Sequence, residues 1–198
     1  AFDLIENATK LKPDDRISFL YLGKTHMNLG DYEEAISTLK ESLALAPCED
    51  SYSQNIREFN YLFGIYYDEY EAVNGIALSY RSLNQFEQAI NWYEELKKIM
   101  FNRIHEKIKS SSKPSDGDDV IDGKKVRVIL PEMFDQNEEL LRSDPSYTML
   151  MNGLGICYYN LGDYEVARDC FQTAIEFKPD DFELPNLQKK LKQVLAKL

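Results

Sequence analysis

The chain has 198 residues, with 23 Lys and Arg against 34 Asp and Glu, a formal charge of −11 and a hydrophobic content of 43%. That apolar content is enough to bury a core, which excludes disorder throughout. The acid excess argues against a chain whose main task is neutralising phosphates, because nucleic-acid affinity rests on Lys and Arg displacing counterions. Nine glycines and seven prolines, about 8% together, fall below the roughly 12% of an average chain and favour helices over a turn-rich β fold.

No apolar run approaches the roughly 20 residues that cross a bilayer, and the N-terminus lacks a charged-then-apolar signal pattern. Cys48, Cys157 and Cys170 are an odd, sparse set that fits a reducing, cytoplasmic setting better than a disulfide scaffold. The chain opens on Ala1, so it reads as processed or as part of a longer protein.

Taken in order, residues 16–49 read as two helices around a turn. Phe19, Leu22, Gly23 and His26 lie on the first, Gly30-Asp31 forms the turn, and Tyr32, Ala35 and Leu39 lead towards Pro47. Gly30 suits the left-handed residue that ends a helix, and Asp31 suits the cap of the next. Residues 50–69 carry Phe59, Phe63, Tyr66 and Tyr70 at one-face helical spacing, which predicts an added helix over 52–69 or an extension of the next one. Residues 70–103 repeat the first pattern through Val73, Ile76, Ala77, Tyr80, Asn84, Phe86, Ala89, Tyr93 and Leu96.

The helix from Phe86 is expected to run to about Ile108, followed by SSSKPSDGDDVIDG, a flexible acidic loop by composition. KKVRVILPEMF follows, then a short helical stretch near Asn137 to Arg142. An exposed VRVIL would be a sticky patch. It reads either as a strap packed on the array or as a partner-binding or self-occluding segment. The pattern returns over 148–181 with Met151, Leu154, Gly155, Tyr158, Gly162, Tyr164, Ala167, Phe171, Ala174 and Pro179. Residues 182–198 place Leu184, Leu187, Leu191, Val194, Leu195 and Leu198 on one stripe opposite Lys189, Lys190, Lys192 and Lys197.

These spacings resemble the tetratricopeptide (TPR) repeat, a 34-residue helix pair with Leu-Gly on the first helix and Ala, an aromatic and a closing Pro on the second. The resemblance implies an all-α TPR-type superhelix of antiparallel helix pairs with two insertions and a C-terminal capping helix. Residues 1–15, with Ala1, Ile5, Ala8 and Pro13, then read as the second helix of a truncated repeat. Full repeats start near 16, 70 and 148; insertions fill 50–69 and 104–147, and 182–198 is the cap.

Little catalytic chemistry is legible. His26 sits in a core slot and His105 on a polar extension, while Cys157 and Cys170 lack the close spacing of zinc ligands. Gly117 to Lys125 has the wrong glycine interval and no Ser or Thr for a phosphate loop, and Asp116, Asp118, Asp119 and Asp122 miss the calcium-loop spacing. Ser115, ahead of Asp116, is an expected site for an acid-directed kinase. No cofactor or metal is expected.

In TPR arrays the outward faces of the first helices line a concave groove. By that resemblance the groove residues are Leu20, Lys24, Met27 and Asn28, then Asn74, Leu78 and Arg81, then Asn152, Ile156, Tyr159 and Asn160. Asn74-Gly75 and Asn152-Gly153 recur in register; the amide suits a peptide backbone, and the glycine is expected to leave room for it. The slots that form the carboxylate clamp of co-chaperones for Hsp70 and Hsp90 hold Leu20, Lys24, Gly75, Met149 and Gly153, so no clamp is expected. The reading is a non-catalytic adaptor or scaffold binding a protein segment, Lys/Arg-bearing by charge complementarity, within a multiprotein complex and without nucleic acid or membrane insertion. The alternative is the targeting or regulatory TPR module of a longer enzyme whose catalytic domain lies elsewhere.

Overall fold

The computed structural model describes residues 2–45, 67–111, 119–121, 124–126, 145–176 and 184–198. Among these lie eight α-helices: α1 Phe2–Leu11, α2 Arg16–Leu29, α3 Tyr32–Ala44, α4 Tyr67–Ser82, α5 Phe86–Ser111, α6 Pro145–Leu161, α7 Tyr164–Glu176 and α8 Leu184–Leu195. Each packs on the next in the chain, and α2 also touches α4. The contact of α5 with α6 is kept although residues 112–144 lie between them. The chain is therefore a TPR-type superhelix of helix pairs, with long connections that do not interrupt the stacking.

Three turns separate the helices within pairs, and all use one hydrogen-bonding scheme. At the first, Gly30 adopts φ +88°, its N–H bonds to Met27 O at 3.1 Å, and Asp31 N–H bonds to His26 O at 3.0 Å. Gly162 at φ +84° and Asn84 at φ +58° repeat it, with Asp163 N–H on Tyr158 O and Gln85 N–H on Tyr80 O at 3.0 and 2.9 Å. This doubly bonded reversal satisfies carbonyls that a helix end leaves unpaired. Asp163 also accepts from Val166 N–H at 3.3 Å, as a cap should. Asp31 does not cap α3; its carboxylate stands 3.8 Å from His26 Nδ1 instead.

Within each pair, small residues let the helices close. A Cβ at Gly23 would lie 2.5 Å from Leu39 Cγ, and one at Gly155 would lie 2.8 Å from the Phe171 ring. Ala77, Ala35, Ala89 and Ala167 are fully buried at the equivalent places. The core runs through three clusters that share half-buried side chains: Leu43, Tyr80 and Trp92 bridge the first to the second, and Met151 and Tyr158 bridge the second to the third. Leu187 and Val194 of α8 close the last cluster over Ala167, Phe171 and Ala174. Leu195 and Leu198, expected on the same stripe, are 52% and 57% exposed. The helix stops at Leu195, and Leu195 itself is turned 100° from Val194.

The second insertion departs from expectation. The helix runs to Ser111, and a small antiparallel pair forms where a loop was expected, β1 Asp119–Ile121 with β2 Lys124–Val126 and Val120 opposite Lys125. Val and Ile favour extended backbone, and the Asp122-Gly123 sequence between the strands is a strong hairpin signal. The added helix over 52–69 lies outside the described residues except for its last three, which open α4. The helix near 137–142, Ser115, Cys48, Pro47 and Pro179 also lie outside them.

Candidate partner-binding face

The first helices α2, α4 and α6 carry the residues expected to face a groove. Leu20 is 3% exposed and serves the core, packed with Ile36, Leu39, Ala72 and Ile76. Met27 is half-buried over the same cluster, and Asn28 is exposed. Lys24 Nζ pairs with Glu71 Oε2 at 2.7 Å, tying α2 to α4. On α4, Asn74 and Leu78 are half-buried, and the half-buried Arg81 donates from Nη1 to the Tyr93 hydroxyl at 3.2 Å.

On α6, Asn152 Oδ1 accepts from Lys190 Nζ of α8 at 2.8 Å, and that ammonium also lies 6.0 Å from the Phe171 ring centroid. Ile156 and Tyr159 are half-buried against the last core cluster, and Tyr159 meets Tyr164 edge-on at 5.5 Å. Asn160 is exposed and turns its amide back to Ile156 O at 2.8 Å. Met149, one turn before Asn152, is 52% exposed. The face is thus built from apolar side chains, amides and four charged groups, Lys24, Glu71, Arg81 and Lys190. Three of these four are basic in a chain of charge −11.

The role expected of the repeated glycines is corrected. A Cβ at Gly75 would stand 2.7 Å from Leu39 Cδ1 and 3.1 Å from Met27 Sδ, and one at Gly153 would stand 2.5 Å from Tyr93 Cζ. The glycines make room for the preceding repeat's second helix, not for a bound peptide. Leu39 is therefore clasped between Gly23 and Gly75. Successive residues of a helix are turned by 100°, so an amide on the outward face and a glycine on the inward face occur as neighbours. That offset was present in the sequence but needs the helix geometry to be read. Of the other residues compared with the clamp pattern, Leu20 is buried and Lys24 pairs with Glu71.

Burial governs the titratable groups near this face. Desolvation pushes the Tyr93 hydroxyl up to about 12 despite the opposing charge of Arg81. It pushes Cys157 up to about 11 and Cys170 up to about 12. Both thiols are therefore neutral small hydrophobes at ordinary pH. Among the described residues there is no group of three or more His, Cys, Asp or Glu side chains that could hold a metal ion.

Profiles of the tetratricopeptide repeat match residues 18–47 and 149–181, and a second profile of the same repeat matches 70–99. The chain carries tetratricopeptide repeats. No significant match was found among curated proteins. TPR repeats are protein-interaction modules, typically non-catalytic scaffolds, so the chain carries an interaction module. Among the described residues no helix is long and apolar enough to cross a membrane.

Proposed function

We propose that this chain is a non-catalytic TPR adaptor that binds a protein segment along the face of α2, α4 and α6, as a subunit of a larger cytoplasmic assembly. The observation that carries the reading is the recurrence on successive first helices of a half-buried Asn beside a partly exposed apolar side chain, Asn74 with Leu78 and Asn152 with Ile156. Burying the apolar groups supplies affinity. Amides that both donate and accept suit the backbone of an extended segment. The chain's overall charge of −11 favours Lys or Arg in the parts of the partner that surround that segment.

The test is quantitative affinity purification from the source cell with Asn74→Ala combined with Leu78→Asp. Leu78 is only half-buried, so the far-ultraviolet spectrum and melt should stay close to wild type. The recovered partner is expected to fall about tenfold or more. A partner set unchanged by a folded double variant would refute binding on this face.

A further inference from the structure

Lys24 and Lys190 are held by Glu71 and Asn152 across the first-helix face, but Arg81 is placed differently. Its hydrogen bond goes to Tyr93, a residue only 1% exposed whose ring lies against Gly153 of the next repeat. Burial keeps that phenol neutral up to about 12. Cys157, the thiol of α6 that also feels the Arg81 charge, stays neutral up to about 11. Neither neighbour supplies a negative charge, and among the described residues no Asp or Glu forms an ion pair with Arg81. In a chain with 34 acidic residues against 23 basic ones, a half-buried guanidinium satisfied by one phenol is an unmatched charge on an otherwise apolar stretch. A guanidinium has five N–H donors in a planar fork, so most of its bonding capacity remains.

Resting on the groove reading above, we propose that Arg81 is the specificity point of the face: it receives one Asp or Glu side chain from an extended partner segment. The residues flanking that acid are apolar and lie on Leu78, one turn before Arg81, and on Ile156, next to Cys157. Tyr93 is the positioning residue: its hydroxyl accepts from Nη1 at 3.2 Å and fixes one edge of the fork, leaving the other N–H donors for the partner's carboxylate. The surrounding Lys/Arg of the partner meets the acidic remainder of the chain, outside this contact. A carboxylate against a partly desolvated guanidinium makes short, charge-assisted bonds that an amide of the same shape cannot replace.

The test uses nine-residue Leu/Ile-rich peptides, acetylated and amidated, with a central Glu, Gln or Lys, and a fourth peptide with a central Ala and a free C-terminus. Binding to the full chain is read by fluorescence anisotropy. The Glu peptide is expected to bind about tenfold or more tightly than the Gln peptide. Arg81→Gln should erase that preference while leaving the Gln peptide unchanged, and Arg81→Lys should restore part of it. Equal binding of the Glu and Gln peptides to wild type overturns the proposal without any variant. A preference surviving in Arg81→Gln, tightest binding by the Lys peptide, a gain confined to the free C-terminus, or no binding by any peptide also overturns it. Leu78→Asp separates the two readings. If it abolishes binding while Arg81→Gln changes nothing, the carboxylate site fails and the face stands. If binding ignores Leu78→Asp, both fail.

Discussion

A methyl group added at Gly153 would meet Cζ, Oη and Cε1 of Tyr93 at 2.5, 2.7 and 2.8 Å, and that ring is too deeply buried to swing aside. Gly153→Ala should therefore cost about 1–3 kcal/mol by overpacking, offset by about 1 kcal/mol from the better helix propensity of Ala. The expected outcome is a melting temperature several degrees lower. Gly30 gives the contrasting case, because nothing lies within 4 Å of an added Cβ and only φ +88° opposes it. Gly30→Ala should cost about 1 kcal/mol, and Gly30→Asn less, since Asn84 already does the same task at φ +58°. A melt higher for Gly153→Ala than for wild type would show that the repeats do not meet at Tyr93.

The buried thiols carry a second prediction at this scale. In a Cys48→Ser background, Cys157 and Cys170 should resist iodoacetamide at pH 8 and react only after denaturation. Their raised folded-state values, about 11 and 12, together with Tyr93 at about 12, fix the sign of the pH effect. Each group keeps its proton longer in the folded state. Its contribution is fully present below the unfolded value, near 9 for the thiols and 10 for the phenol, and is lost as pH rises through the folded value. Urea midpoints should fall steadily from about pH 9 to 11, and a flat profile would contradict the burial.

At the scale of elements, α8 is the most informative. Leu187 is 1% exposed and Val194 is fully buried over Ala167, Phe171 and Ala174. Leu187→Asp would place an unpaired carboxylate there, or open α7 to water. An expected loss of about 3 kcal/mol or more should appear first as faster hydrogen exchange in 164–176, because solenoid helices depend on their neighbours. Equal acceleration in α2 would argue against repeat-wise coupling.

The same elements show what the sequence could disclose. Helix ends at Gly30, Asn84 and Gly162 were legible because the left-handed residue and its hydrogen bonds are local chemistry. Close approaches at Gly23 and Gly155 were legible because the partner lies in the same pair. The pairing of 119–121 with 124–126 had a signal in Val120, Ile121 and Asp122-Gly123, but the acidic, Ser- and Gly-containing residues ahead of it made the whole stretch read as loop. The true tasks of Gly75 and Gly153 depend on a side chain from the preceding repeat, and no pattern within one repeat contains that neighbour. Arg81 could be placed on the face by register, but that no described carboxylate pairs with it could not, because pairing depends on which helices meet.

Across the whole molecule, α5 packs on α6 despite the intervening residues 112–144, and the proposed adaptor reading requires that this stacking align the first helices as one face. The acid excess belongs to the chain at large, while the charged side chains of this face are Lys24, Glu71, Arg81 and Lys190. On the proposed reading, a partner would be drawn in by one sign of charge and anchored through the other. Side chains on the two helix sets are available for a direct comparison: Met149, 52% exposed, with Met27 and Tyr159 on first helices, against Val166, 37% exposed, with Tyr164 on α7. The decisive measurement is hydroxyl-radical footprinting of the full chain, alone and with its partner purified from the source cell. Oxidation of Met27, Met149 and Tyr159 should drop several-fold in the complex while Val166 and Tyr164 stay unchanged; protection of Val166 and Tyr164 with no change at Met27, Met149 and Tyr159 would contradict the account.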